Sequence, residues 1–196
     1  MDVTRLIIVA VGGQGNLLAS RVLAEAARRS EVPVRMSEIH GMAQRGGVVE
    51  SALVFGNARS TIISDGEADI LLSFEPSEAL RALKKCNRNT TVITSTSPLP
   101  PFTAAIGRGT YPEMDTIKSM LASRCARLIT LDAAALAREA GNVLAVNMVL
   151  LGALAAADLL PVSPHSIEAA IREITRPDFV DTNLEAFELG RRAAAD

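Results

Sequence analysis

The chain alternates short apolar runs with stretches of helical periodicity through its first two thirds. Arg5–Val11 (RLIIVAV) is an unbroken β-branched run that stops at glycines, the mark of a buried parallel strand. Leu18, Val22 and Ala26 then recur at helical spacing within Asn16–Arg29. Pro33 restarts the chain, and Val34-Arg35-Met36 opens a second strand. Val48–Phe55 reads as a strand ending at Gly56-Asn57, with Thr61-Ile62-Ile63 beyond it as the return arm of a hairpin. Strands at Ala68–Phe74, Thr91–Thr94 and Arg127–Leu131 alternate with helices at Pro76–Lys85, Glu113–Ala122 and Ala133–Ala140, the last closed by Gly141-Asn142.

After residue 142 the pattern is helical throughout. It comprises an apolar segment from Val143 to Leu160, a helix over Ser166–Ile174 introduced by Ser163-Pro164, and an amphipathic helix over Asp178–Ala194. These elements predict a single three-layer α/β domain spanning residues 1–196. A mostly parallel Rossmann-like sheet occupies an α/β core of about residues 1–142, and a helical part follows over about 143–196. Ser97–Pro112 holds four prolines and two glycines, a loop long enough to be expected to cover something.

Composition narrows the function. Hydrophobic residues are 48% of the chain, yet there is no Trp and one Tyr, so an aliphatic, Ala-rich core between closely packed helices is expected. The formal charge of −2, with both signs interspersed and no basic stripe carrying aromatics, argues against nucleic acid. The most apolar stretch, Val143–Ala157, is shorter than the ~20 residues of a membrane span and contains Asn147. No signal-peptide pattern opens the sequence, so a cytoplasmic location and no membrane partner are expected. Cys86 and Cys125 have neither metal-ligand nor cluster spacing, and no disulfide is expected between them.

Two segments carry candidate chemistry. Ala10-Val11-Gly12-Gly13-Gln14-Gly15 is a glycine-rich turn between a strand and a helix, where backbone N–H groups and the helix dipole can meet an anion. As a dinucleotide fingerprint it has Ala10 in place of the first glycine, with Glu38 near the end of the second strand as a ribose partner. The bland alternative is that the glycines only let the helix pack close to the strand. The second segment, Ser37 through Gly47, is a polar loop between strands, in which His40 and Arg45 are placed to face a common anion. A capped surface histidine and a solvated arginine are the competing readings. Asn147, polar within an apolar helix, is expected to anchor a neighbouring loop by hydrogen bonds. No GxSxG, Walker A or HExxH pattern occurs.

The glycine turn and the His40-Gly41-Met42-Ala43-Gln44-Arg45-Gly46-Gly47 loop together resemble the gamma-type domain of 2-oxoacid:ferredoxin oxidoreductases, with the beta subunits of indolepyruvate:ferredoxin oxidoreductase as the nearest branch. Asn147, Gly152-Ala153-Leu154 and Asn183-Leu184-Glu185-Ala186-Phe187-Glu188-Leu189-Gly190 extend the resemblance over most of the chain. The family turn begins with glycine where this one has Ala10.

The resemblance implies oxidative decarboxylation of a 2-oxoacid, aromatic ones favoured, to an acyl-coenzyme A with electrons passed to ferredoxin. Thiamine diphosphate and [4Fe-4S] clusters would then sit on a large partner subunit, with none bound by this chain alone and coenzyme A as co-substrate. This chain would dock on and cover that subunit and be inactive alone, and isolated copies could self-associate through the docking surface. The ligand-binding residues carried over are Gly12, Gly13, Gln14, Gly15, His40, Gln44, Arg45, Gly46 and Gly47. An independent NAD(P)- or flavin-binding reductase and a nonenzymatic interaction module are the alternatives.

Overall fold

The computed structural model describes residues 2–40, 47–100 and 110–195, with His40 described by its backbone alone. Six strands form one sheet: β1 (Thr4–Val11), β2 (Val34–His40), β3 (Val48–Phe55), β4 (Ala68–Ser73), β5 (Cys86–Ser95) and β6 (Arg127–Leu131), in the order β2-β3-β1-β4-β5-β6. β1, β4, β5 and β6 run parallel, while β3 is antiparallel to both of its neighbours. The helices are α1 (Asn16–Arg29), α2 (Pro76–Ala82, extended by a 3-10 turn at Leu83–Lys85), α3 (Met114–Ala122), α4 (Ala133–Glu139), α5 (Val146–Ala156), α6 (Pro164–Ile174) and α7 (Val180–Ala195).

Alternation along the strands feeds two cores. Leu6, Ile8, Leu53, Phe55, Ile70, Leu72 and Ile93 face α1, α4, α5, α6 and α7. Ile7, Val9, Val54, Leu71 and Val92 face α2 and α3. The sheet is therefore covered on both sides, which is why its central strands read as continuous apolar runs. The C-terminal helices form the thicker of the two helical layers.

Local signals place the helix starts. Ser163 accepts a hydrogen bond from Ser166 N, with Pro164 in the first turn, and Asp132 accepts from Ala135 N at the start of α4. Gly141, at φ +90°, follows the end of α4.

Three expectations are corrected. Thr61–Ile63 forms no strand: β3 pairs with β2 and β1 instead, and Ile63 folds back into the core under the sheet at 5% exposure. The apolar segment 143–160 is helical only over Val146–Ala156, because Val143 and Leu144 belong to an exposed link. β5 starts at Cys86, ahead of the apolar run, because Ala68 and Cys86 pair before a register shift. No helix among the described residues is long and apolar enough to cross a membrane.

Candidate functional site at the carboxyl edge of the sheet

β1, β2 and the parallel strands all end on one edge of the sheet, where open α/β folds place ligands. The glycine turn lies there. Gly13 at φ +105° and Gly15 at φ +83° adopt backbone torsions that L side chains rarely take. Gly13 is exposed, with open space where a Cβ would stand, whereas a Cβ on Gly15 would lie 2.5 Å from Asn147 Nδ2.

Gln14 braces this turn from within. Its Oε1 accepts from Val11 N at 2.8 Å, and its Nε2 donates to Phe74 O at 3.3 Å, tying the ends of β1 and β4 together. With both ends of its amide so used, Gln14 acts on any ligand through the shape of the turn. Asn147 Nδ2 donates to Gly15 O at 3.3 Å, so the expected loop anchor is present and the loop is this turn. No side chain caps α1 and no acidic residue occupies its first turn, which leaves the positive end of the helix available to an anion.

The polar loop starts beside the turn. In register, His40 faces Val49 and Val49 faces Ala10, so two strand spacings of about 4.8 Å put the His40 backbone roughly 10 Å from Ala10. At the far end of the loop, Gly12 N donates to Gly47 O at 2.8 Å. Gly12, Gly13, Gln14, Gly15, Gly47 and the backbone of His40 are thus brought to one edge. Gln44, Arg45 and Gly46 lie outside the described residues.

Glu38 does not fit a ribose partner. Such a residue ends a parallel strand adjacent to β1, but here antiparallel β3 intervenes and β2 is the sheet edge. The dinucleotide reading fails on topology.

Sequence reasoning missed Glu75, which is fully buried just beyond β4. Its carboxylate accepts from Glu78 N at 3.0 Å, Ser77 Oγ at 2.6 Å and Leu99 N at 3.2 Å, and also from the Tyr111 hydroxyl. Burial first, and then the bond to Glu75, raise the Tyr111 phenol above its ordinary range. Asp132 holds the Ser97 hydroxyl at 2.6 Å; that bond and the Ala135 N–H keep its carboxyl below the usual range. Both flanks of the 97–112 loop are therefore fastened beside the site. Pro76 was legible as the helix start, but the reach of Glu75 to Leu99 and Tyr111 carries no local signal.

Both cysteines are free. Burial, followed by the neighbouring Cys125, pushes the Cys86 thiol up to about 12, so it is a protonated core residue at neutral pH.

Comparison with known proteins places the chain. Residues 5–193 match the family model described as pyruvate ferredoxin/flavodoxin oxidoreductase. The chain is 42% identical over 189 residues to indolepyruvate oxidoreductase subunit IorB of Methanothermobacter thermautotrophicus, covering 96% of each. It is 41% identical to the subunit of the same name from Archaeoglobus fulgidus, over 96% of this chain and 94% of that one.

Two solved structures share the fold at low sequence identity. The keto/oxoacid ferredoxin oxidoreductase gamma subunit of Geobacter sulfurreducens superposes with a TM-score of 0.69 at 22% identity, covering 97% of this chain and 98% of that one. The 2-oxoglutarate:ferredoxin oxidoreductase of Magnetococcus marinus, solved with 2-oxoglutarate, coenzyme A and succinyl-CoA bound, matches 99% of this chain with 31% of its own, at a TM-score of 0.71 and 18% identity. With a family model matched almost end to end and relatives above 40% identity over nearly their whole length, the chain belongs to the pyruvate ferredoxin/flavodoxin oxidoreductase family.

Proposed function

We propose that this chain is the small subunit of a cytoplasmic 2-oxoacid:ferredoxin oxidoreductase acting on indolepyruvate or related arylpyruvates, and that it works only when docked on a larger partner. The observation that carries this reading is the match in sequence and length to subunits named for that activity. The residue inventory supports it: two separate cysteines cannot build a four-cysteine cluster. In this reading thiamine diphosphate and [4Fe-4S] clusters sit on the partner. When bound there they supply decarboxylation and the electron path to ferredoxin.

The role of this chain is to bind and to shield. The unpaired N–H groups at the start of α1 and the exposed backbone of Gly13 offer donors to an anionic group of coenzyme A or of the oxoacid. Gln14, Asn147 and Gly15 hold that backbone in place. The His40 backbone and Gly47 border the same edge, and His40, Gln44, Arg45, Gly46 and Gly47 are assigned to the same ligand, with the Arg45 guanidinium fork as the partner for phosphate or carboxylate. The fastened flanks of the 97–112 loop suit a cover that keeps water from the reacting centre.

The test is anaerobic, arylpyruvate- and coenzyme A-dependent reduction of a viologen dye by the large subunit alone and by the assembled pair. Turnover is expected with the pair only. Arg45→Ala should leave assembly intact and raise KM for coenzyme A or oxoacid by about tenfold, the worth of one charge-assisted hydrogen bond. An assembled pair inactive on every oxoacid would sink the proposal.

A further inference from the structure

A cavity of about 400 Å³ opens between α1, the α4–α5 link, the end of α6 and α7. That volume falls within the range of about 300–1,000 Å³ typical of small-molecule sites. Leu18, Leu144, Ile174 and Phe179 give it apolar walls. Leu144 and Phe179 remain 75% and 45% exposed, so its mouth is apolar as well.

Of the polar lining, Asn142, Asn147 and Thr175 are engaged in local hydrogen bonds, which leaves Asn183 and Arg176 for a ligand. Asn183 is only 7% exposed and lines the cavity, and its side chain makes no hydrogen bond among the described residues. Its amide opens onto the cavity, where its donors and acceptor are available to cavity contents. Arg176 is the one formally charged residue among the lining residues, and it has no ion pair among the described residues. Asn147 lines the same cavity while donating to Gly15 O.

We infer that this cavity binds a small monocarboxylate with an apolar body, its head held by Arg176 and Asn183 and its body by the Leu18, Ile174 and Phe179 walls. An acid suits the site better than a neutral molecule, because a cation without a counter-ion faces the cavity beside an amide able to donate to the same oxygens. An apolar body suits the site because water in the cavity would wet four hydrophobic side chains. The inference rests on the cavity alone and does not use the oxidoreductase reading. Asn147 adds a consequence: occupancy is felt at the glycine turn.

The test is titration of the full chain with 3-phenylpropionate and with its uncharged counterpart 3-phenylpropan-1-ol, followed by calorimetry and by the amide signals in NMR spectra. Saturable binding of the acid at about 1 mM or tighter is expected, with the Asn183, Asn147 and Gly15 signals moving together. The alcohol should bind at least about tenfold more weakly, and Arg176→Gln should lower affinity for the acid by the same factor while leaving the melting temperature unchanged. Because Arg176 is exposed, that variant does not put folding at risk.

Equal binding of acid and alcohol, signals that move elsewhere, or no saturation at about 10 mM would overturn the assignment. So would loss of acid binding on assembly with the large subunit, which would give the cavity to a segment of that partner.

Discussion

At the crossing of α5 and α7, Gly152 and Gly190 are glycine because two backbones touch. At the turn between β1 and α1, Gly13 and Gly15 are glycine because the backbone must take a left-handed path. A Cβ on Gly152 would overlap the Phe187 carbonyl and lie 2.8 Å from Arg191 N, and one on Gly190 would overlap the Val149 carbonyl. At Gly13 there is nothing to strike. The crossing is a packing device deep in the larger core, and the turn is a conformational device at an open edge. Substituting the same small side chain should therefore separate stability from function across the molecule.

The largest effect belongs to the crossing. Gly190→Ala would gain about 1 kcal/mol of helix propensity, which decides the outcome if the helices can move apart. They cannot do so cheaply, because the overlap is with main chain and the flanking Val149, Ala153, Ala186 and Phe187 are buried between them. A net loss of about 3 kcal/mol or more is expected, read as a fall in the chemical-denaturation midpoint with an unchanged slope. A variant as stable as the parent would show that the crossing is loose and would remove the contrast with the turn.

Gly15→Ala comes next, since it combines both devices. Its φ of +83° costs a side chain about 1–2 kcal/mol, and the methyl would also press on the Asn147 amide. Asn147 could yield toward the neighbouring cavity only by giving up its bond to Gly15 O. A loss of about 2–3 kcal/mol is expected. Pairing it with Asn147→Ala tests the coupling: the double variant should be less destabilised than the sum of the two single ones, and strict additivity would show that the two residues do not interact.

These two positions also mark what could be read from the sequence. The turn was legible, because glycines clustered between a β-branched run and a helical period have a local physical cause. Asn147 was legible as an anchor, because an isolated amide in an apolar helix must find a partner. Gly152 and Gly190 carry no such signal: Gly152 is explained by Phe187, 35 residues away, and Gly190 by Val149, 41 residues away, and no local pattern announces either. Glu75 was hidden for the same reason, since its bonds to Leu99 and Tyr111 cross 24 and 36 residues. The antiparallel insertion of β3 was equally silent, because strand order depends on pairing energies spread along whole strands. That silence is why Glu38 looked like a ribose partner.

Gly13→Ala is expected to have the smallest effect on stability and the most informative one on function. Its φ of +105° charges a side chain about 1 kcal/mol or slightly more, and with open space around the Cβ nothing adds to it. The melting temperature of the chain should fall by only a few degrees, about 2–4 °C for a domain of this size. If an anionic ligand in the assembled enzyme rests on the turn backbone, the methyl would stand in its path, and KM for that ligand should rise well beyond what so small a stability loss explains. Gly13→Val should be worse in both respects, since branching at Cβ adds strain at positive φ. An unchanged KM in assembled Gly13→Ala enzyme would mean that the turn serves only to seat α1 against the sheet. The function of this edge would then fall to the His40–Gly47 loop.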